Sequence, residues 1–445
     1  MDDLDYVISE DRLPEVSFAR WTLLAGIFIY LLLLCNVYIY FISPSFYYLG
    51  FTYQPQSKLS VLLAVFIAFI PSVWMPVKIE RPSQLIYFFL YLMVVIPSLT
   101  VGSLTGKFGV WKVVCFGIIF TAIFGALRIV HKIPLLKVPR FVETEREFWV
   151  VFLLVAGPLY GVVLGKYGFP TQLPSLGEVY AQRSEFRREI AGIGAYAFFW
   201  TAKAVNPLLV AKGFLDRNPI LILAGVVGQF ALFAMSGMKA ILFSPLLFAA
   251  ILLALWPKGK YFGNWVVWGL LSLIAGAVIL DSYVQFSLVL DLFVRRLVVV
   301  PGLNTSYYLD FFSANPKVFL GHSIFSGIVN YPYEELPAMV VGDVYFGHVG
   351  SEVDVRSNAN VWADAYASFG LGGILLFSSI LGGLFWVIDS MSQNCSFRLA
   401  VLMMGFPAYN LVDTKLQTSL LTHGIGLVLL LLYILPPEKA SGDES

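Results

Sequence analysis

The segment YAQRSEFRREIAGIG, running from Tyr180 to Gly194, gathers Arg183, Arg187 and Arg188. Read as the beginning of a helix, Arg183 and Arg187 stand four apart and share a face. Gly194 follows Arg183 by eleven residues, about three turns plus roughly 20° at about 100° per residue, so it falls beneath that arginine on the same face. A glycine there leaves open surface under an arginine at a membrane boundary, room for a molecule with a bulky apolar tail and an anionic head. Arginine suits such a head because its planar fork grips phosphate oxygens in pairs and stays charged. The competing reading pairs these arginines with Glu185 and Glu189, or lets them snorkel to lipid phosphates.

Further polar groups cluster later in the chain. DSYVQFSLVLDLFVRRLVVVPG sets Asp281, Gln285, Leu288, Leu292 and Arg295 near one helical face, with Asp291 in reach of Arg295 and with Arg296 alongside. It reads as a helix lying in or dipping into the membrane interface, or as an extension of the preceding span. PKVFLGHSIFSG places His322 in a Gly-His-Ser turn. The stretch YFGHVGSEVDVRSNANVWADAY holds His348, Glu352, Asp354, Arg356, Asn358, Asn360 and Asp364, and Asp343 lies just upstream. Arg356 precedes Gly372 by sixteen residues, a second candidate arginine–glycine pair. With Tyr333, Tyr345, Trp362 and Tyr366, this region has the composition of a sugar-facing surface, or of a structured cap over a helical bundle. Lys239, in SGMKAILFSP, begins an apolar run after a tight turn. A cation at a helix N-terminus opposes the macrodipole and gains from a nearby anion; the alternative is a snorkelling lysine.

These residues must be positioned by membrane helices. Of 445 residues, 58% are apolar and only 13% charged, against about 25% charged in a typical soluble domain. Mean hydropathy is +0.79. That excludes a soluble globular enzyme, a disordered chain and a nucleic-acid binder with a broad basic surface. The net charge of +1 selects no partner. Cys35, Cys115 and Cys395 fall in or beside apolar runs with no CxxC and no histidine at metal spacing, so neither a disulfide framework nor a metal or other cofactor is expected.

Crossing the hydrocarbon core takes roughly 20 apolar residues. Runs near that length occur at 21–42, 59–75, 85–99, 110–130, 148–164, 190–210, 220–234, 241–256, 265–280, 371–388, 397–412 and 416–435. The expected fold is therefore an all-α integral membrane protein of about twelve spans, with two long outer loops at about 165–189 and 281–370. Residues 1–435 form a single membrane domain and 436–445 a short tail. The acidic stretch before the first run, Asp2 to Glu15, does not fit the basic start of a cleaved signal peptide. Lysines and arginines of the short loops favour the side holding both termini, which places the termini in the cytoplasm. Lys203 is the clearest charge within a span.

Three stretches together resemble the Wzy-type polymerases of O-antigen and capsular polysaccharide. They are EVYAQRSEFRRE running into GAYAFFWTAKAVNPLLVAKG, the SGMKAILF turn, and NANVWADAYASFGLGGILLF after a long outer loop. The resemblance spans about residues 165–390. Arg183 and Gly194 match the family's periplasmic arginine-x10-glycine motif; its second motif is not cleanly matched, since neither Arg295 nor Arg296 has a glycine at that spacing. The resemblance implies a metal-independent glycosyltransferase of GT-C-like architecture in the bacterial inner membrane. The growing glycan on undecaprenyl diphosphate is the donor, and a sugar hydroxyl of a lipid-linked repeat unit is the acceptor. It further implies membrane lipids as surroundings, a chain-length regulator and a flippase as partners, and no nucleic acid. On that footing Arg183, Arg187, Arg188 and Lys239, with Arg295, Arg296 or Arg356, form the diphosphate clamp. His322, Asp343 and Asp364 are the candidates for deprotonating the acceptor hydroxyl. An O-antigen ligase and a transporter or flippase of lipid-linked sugar are the alternatives.

Overall fold

The computed structural model describes residues 13–139, 141–170, 179–284, 289–323, 327–347 and 356–436, without the side chains of 13–16, 180 and 181. His348, Glu352, Asp354, Gln285, Leu288 and nearly all of the 436–445 tail lie outside the described residues. Among the described residues the secondary structure is helical, with no β-strand. The helices are α1 (Leu13–Val37, prolonged by a π-type turn and a short helix), α2 (Lys58–Phe69), α3 (Gln84–Leu104), α4 (Val110–Val130) and α5 (Glu145–Tyr167). They continue with α6 (Val179–Glu189), α7 (192–215), α8 (Pro219–Ser236), α9 (Ser244–Ala254) and α10 (Phe262–Val284). The last are α11 (290–314), α12 (Pro337–Phe346), α13 (Val361–Met391), α14 (397–413) and α15 (Leu416–Ile434).

Among the described residues, eight helices are long and apolar enough to cross a membrane: those within 17–49, 84–104, 110–130, 145–167, 219–236, 262–284, 361–394 and 416–434. The chain is thus a multi-pass membrane protein. The four other expected spans are helical but shorter or interrupted. Residues 58–74 form a short apolar helix and α9 has 11 residues. In α7 a π-type turn at Thr201–Val205 carries Lys203, and α14 breaks at Met404.

The largest departure from expectation is the 281–370 segment, much of which is not a surface loop. Residues 290–314 form a helical rod whose second half is buried from Pro301 to Leu309. Asp291, Arg295, Arg296 and Asp310 dilute its hydropathy, so it does not look like a buried helix in sequence. The charges are matched, however: Asp291 pairs with Arg295, as expected, and Asp310 with Lys112. Asp281 at the end of α10 accepts the backbone N–H groups of Val289 (3.2 Å) and Leu290 (2.7 Å), capping the rod. The rod packs on α3, which is entirely buried. Gly302 lies so close to Pro97 that a Cβ would collide with it, and Gly102 similarly meets Ser306. Small residues of this kind let helix backbones approach without lipid between them.

Helix α13 begins at Val361, ten residues before the expected span, because Asn360 caps it by accepting from Trp362 N and Ala363 N, both at 3.1 Å. The same amide donates to Thr305 Oγ1 at 2.7 Å, and Tyr308 and Asn304 donate to the carbonyls of Ser357 (3.0 Å) and Asn358 (3.1 Å). Residues 357–360 are thereby sewn to α11. Trp362, expected on a sugar-facing surface, is fully buried against Phe120 and Phe124. Tyr345 stacks on Tyr307 and donates to Asp310 at 2.6 Å, a packing role as well.

Candidate functional site: a convergence of arginines

Helix α6 is held to the bundle by its apolar side. Val179 and Phe186 are buried, the Phe186 ring packing at a tilt against Phe198 at 4.6 Å and Tyr167 at 5.2 Å, and Gln182 donates to the carbonyl of Ala234. At about 100° per residue, Arg183 and Arg187 then flank that buried side while Arg188 points away from it. Behind Arg183 the chain of the Ser236–Lys239 turn passes at van der Waals distance. Gly237 has φ +62, and a Cβ on it would sit 2.7 Å from Val179 O and 3.4 Å from Arg183 N. Only glycine tolerates both that φ and that proximity. Lys239, half-buried, follows two residues later, so its backbone lies within about 11 Å of Arg183. Phe243 from the same turn packs on Phe293 of α11 at 5.5 Å, so this turn bridges α6 to the rod.

Arg187 reports what surrounds it. Its guanidinium is pulled down to about 10, first by desolvation and then by Arg183, Arg356 and Arg296, with Asp413 opposing. Solvent still reaches this side chain. Solvent access together with desolvation places this side chain on a partly enclosed face of the protein. Four arginines from three segments (α6, α11 and the leader of α13) therefore lie within electrostatic reach of one another, with Asp413 at the end of α14 nearby and Asp291 3.8 Å from Arg296. Concentrated like charges without an anion repel one another. Such an arrangement is suited to an anionic ligand, with several forks presented to one group of oxygens.

The two adjacent arginines of α11 part company. Arg296 is exposed and belongs to the cluster. Arg295 is turned inward, buried, paired with Asp291 and stacked over Phe46 (4.7 Å) and Phe51 (5.3 Å). Its expected place in the clamp is thus corrected: it is a packing residue.

The expected stacking of Gly194 under Arg183 is also corrected. The helix stops at Glu189 and a new one starts at Gly192, whose φ is +58, so the 3.6-residue register does not carry from one residue to the other. Gly194 is buried, and a Cβ there would meet Lys166 Cδ at 2.6 Å and Tyr167 Oη at 2.8 Å. It is a contact glycine between α7 and α5, not open surface. Gly194→Leu is expected to overpack this contact at a cost of about 1–3 kcal/mol, lowering the melting temperature and membrane accumulation together. Arg356 and Gly372 fail to stack for a similar reason: Arg356 precedes the helix and Gly372 follows the kink at Gly370.

Two of the three candidate bases come together. His322 Nε2 and Asp364 Oδ1 are 2.8 Å apart, with side-chain exposures of 4% and 3%, so each can fix the other's orientation. His322 Nδ1 has no hydrogen-bond partner among the described residues. The turn carrying His322 holds Phe319 (φ 45°) and Leu320 (φ 61°) in the left-handed region, which costs roughly 1–2 kcal/mol each. The turn is fastened by Val318 N donating to Ala367 O at 2.9 Å. The third candidate, Asp343, lies on α12. Arg356 and Asp364 are separated by four extended residues and one helical turn, so their backbones are within about 20 Å.

Asp413, Tyr409, Asn410 and Asn358 complete the site. Asn358 Nδ2 donates to Asp413 Oδ2 at 3.0 Å, and Lys203 Nζ donates to Asn410 Oδ1 at 2.8 Å. Asp413 has Arg183, Arg296 and Lys203 as its electrostatic neighbours, and Tyr409 senses Arg183 and Arg296. Sequence reasoning passed over Asp413. Its signal was there: an acid closing an apolar run, on the membrane face expected to hold the arginines.

Comparison with protein-family models, with curated protein sequences and with solved structures finds no match to this chain.

Proposed function

We propose that this chain is a polysaccharide polymerase of the Wzy type, acting at the outer face of the bacterial inner membrane with both termini in the cytoplasm. The observation that carries the reading is the electrostatic proximity of Arg183, Arg187, Arg296 and Arg356, from distant parts of the sequence, at one solvent-reached face. In this reading all twelve apolar segments cross the membrane in a GT-C-like bundle, the four short or broken helices among them. The arginines hold the diphosphate of the lipid-linked donor, with Lys239 at the rim. A sugar hydroxyl of a lipid-linked repeat unit attacks the donor's anomeric carbon. The bond from that carbon to the phosphate oxygen breaks, its electron pair leaves on undecaprenyl diphosphate, and the hydroxyl proton passes to His322 Nδ1. Asp364 holds the imidazole and stabilises its cationic form. The cations neutralise charge developing on the leaving group without a metal. The dyad is buried, so acceptor access requires it to be uncovered.

Deletion of the gene tests the assignment among related activities. A polymerase deletion leaves single repeat units on the lipopolysaccharide core. A bare core would instead indicate a ligase, and repeat units retained on the inner leaflet would indicate a flippase.

A further inference from the structure

A second group of polar side chains lies where α7, α14 and α15 meet the leader of α13. Lys203, on the π-type turn of α7, is 8% exposed and donates to Asn410 Oδ1 at 2.8 Å, with the Phe199 ring 5.0 Å away. Such a widening of a helix recurs at functional sites. Asn410 donates to His423 O at 3.3 Å, and the His423 ring packs on Phe199 at 4.9 Å. Asp413 stands one turn after Asn410 on α14, and its Oδ2 accepts from Asn358 at 3.0 Å. Gln417 follows in the first turn of α15. Asn358 is exposed, Asp413 and Gln417 are half-buried, and Lys203 and Asn410 are buried, so the group grades from surface to interior.

Its hydrogen bonding is incomplete. Asp413 Oδ1, both polar atoms of the Gln417 amide and His423 Nδ1 are enclosed without a partner among the described residues, and Lys203 uses one of its three N–H groups. Enclosed polar atoms left unmet are costly, and native folds keep them few. The mixture of groups selects the occupant. Asp413 repels a further anion and Lys203 repels a metal cation. A hydroxyl donates to the one and accepts from the other.

We infer that this group is a glycan subsite, which takes ring hydroxyls of the lipid-linked substrate beside its diphosphate. The inference rests on the polymerase reading above. Asn358 lies two residues after Arg356, which sets the subsite next to the cations. Sugar hydroxyls donate to Asp413 Oδ1 and Gln417 Oε1 and accept from Gln417 Nε2 and Lys203 Nζ.

The test is saturation-transfer NMR on the purified full-length protein in detergent. The probe is the free repeat-unit oligosaccharide prepared from the host's surface polysaccharide, which carries neither lipid nor diphosphate. Wild type and Arg183→Ala are expected to bind it alike, because the probe has no phosphate for the arginines. Gln417→Leu keeps the size and removes both amide atoms; it is expected to bind about tenfold more weakly with no lower melting temperature. Asn358→Ala, at the exposed rim, should weaken binding severalfold without asking the interior to accept a new side chain. In polymerisation assays Gln417→Leu should raise the KM for lipid-linked repeats more than it lowers kcat. Unchanged oligosaccharide binding in folded Gln417→Leu, or in Asn358→Ala should Gln417→Leu not fold, leaves the group to water and overturns the inference. A wild type that polymerises lipid-linked repeats yet binds no free oligosaccharide overturns the inference and leaves the polymerase reading standing. A wild type that does neither overturns both.

Discussion

Arg183→Ala is expected to abolish long-chain glycan while the protein accumulates normally in the membrane. The side chain is half-buried at the cluster, and its neighbour Gly237 packs on its backbone rather than on its guanidinium, so the helix keeps its seat without it. What is lost is a preorganised cation at the leaving group. Removing one preorganised donor that stabilises developing negative charge typically costs about 10²–10³ in rate, or about 2.7–4 kcal/mol. Arg183→Lys should recover little of it, because an ammonium cannot hold two phosphate oxygens in a plane. Arg188→Ala is the internal control: that side chain points away from the buried side of α6 and its removal should leave most of the activity. The measurement is electrophoretic chain-length analysis of surface polysaccharide beside immunoblots of membranes.

Arg295→Ala and Arg296→Ala, one residue apart, should fail in opposite ways. Loss of Arg295 leaves Asp291, partly buried, only its longer ion pair to Arg296 at 3.8 Å and strips the cover from Phe46 and Phe51. Breaking a buried pair by removing one partner costs about 3–5 kcal/mol; Asp291 is 18% exposed, which sets the expectation at the lower end. The protein should then be depleted from the membrane, and the residual fraction should retain activity per molecule. Arg296→Ala removes an exposed cation from the cluster, and the protein should accumulate normally with about tenfold or greater loss of polymerisation. Normal accumulation of Arg295→Ala with lost activity would place Arg295 back in the clamp.

The membrane class was legible because hydropathy is a property of local composition. The arginines were legible because clustered charge stands out in a chain with so little of it. Their grouping was not. Arg183 and Arg187 share a helix, but their meeting with Arg296, Arg356 and Asp413 depends on how α6, α11 and α14 pack, and no local pattern encodes that. The burial of the rod 290–314 was hidden for a related reason: its charges dilute the hydropathy, and Asp310 finds its partner Lys112 only in three dimensions. The Arg183–Gly194 register failed because it assumes an unbroken helix, whereas IAGIG admits a break at Gly192. Asn360 and Asp364 lie one turn apart at the start of α13, the first as the cap and the second facing His322.

The central claim is that the arginine cluster supports glycosyl transfer from a lipid diphosphate. Incubating the purified protein in detergent with lipid-linked repeat units tests it most directly, since detergent leaves no bilayer across which to transport. The account expects a ladder of lipid-linked oligomers, with one undecaprenyl diphosphate released per bond formed, and no ladder from Arg183→Ala. Intact single repeats after incubation with folded wild-type protein, or an equal ladder from Arg183→Ala, would contradict it.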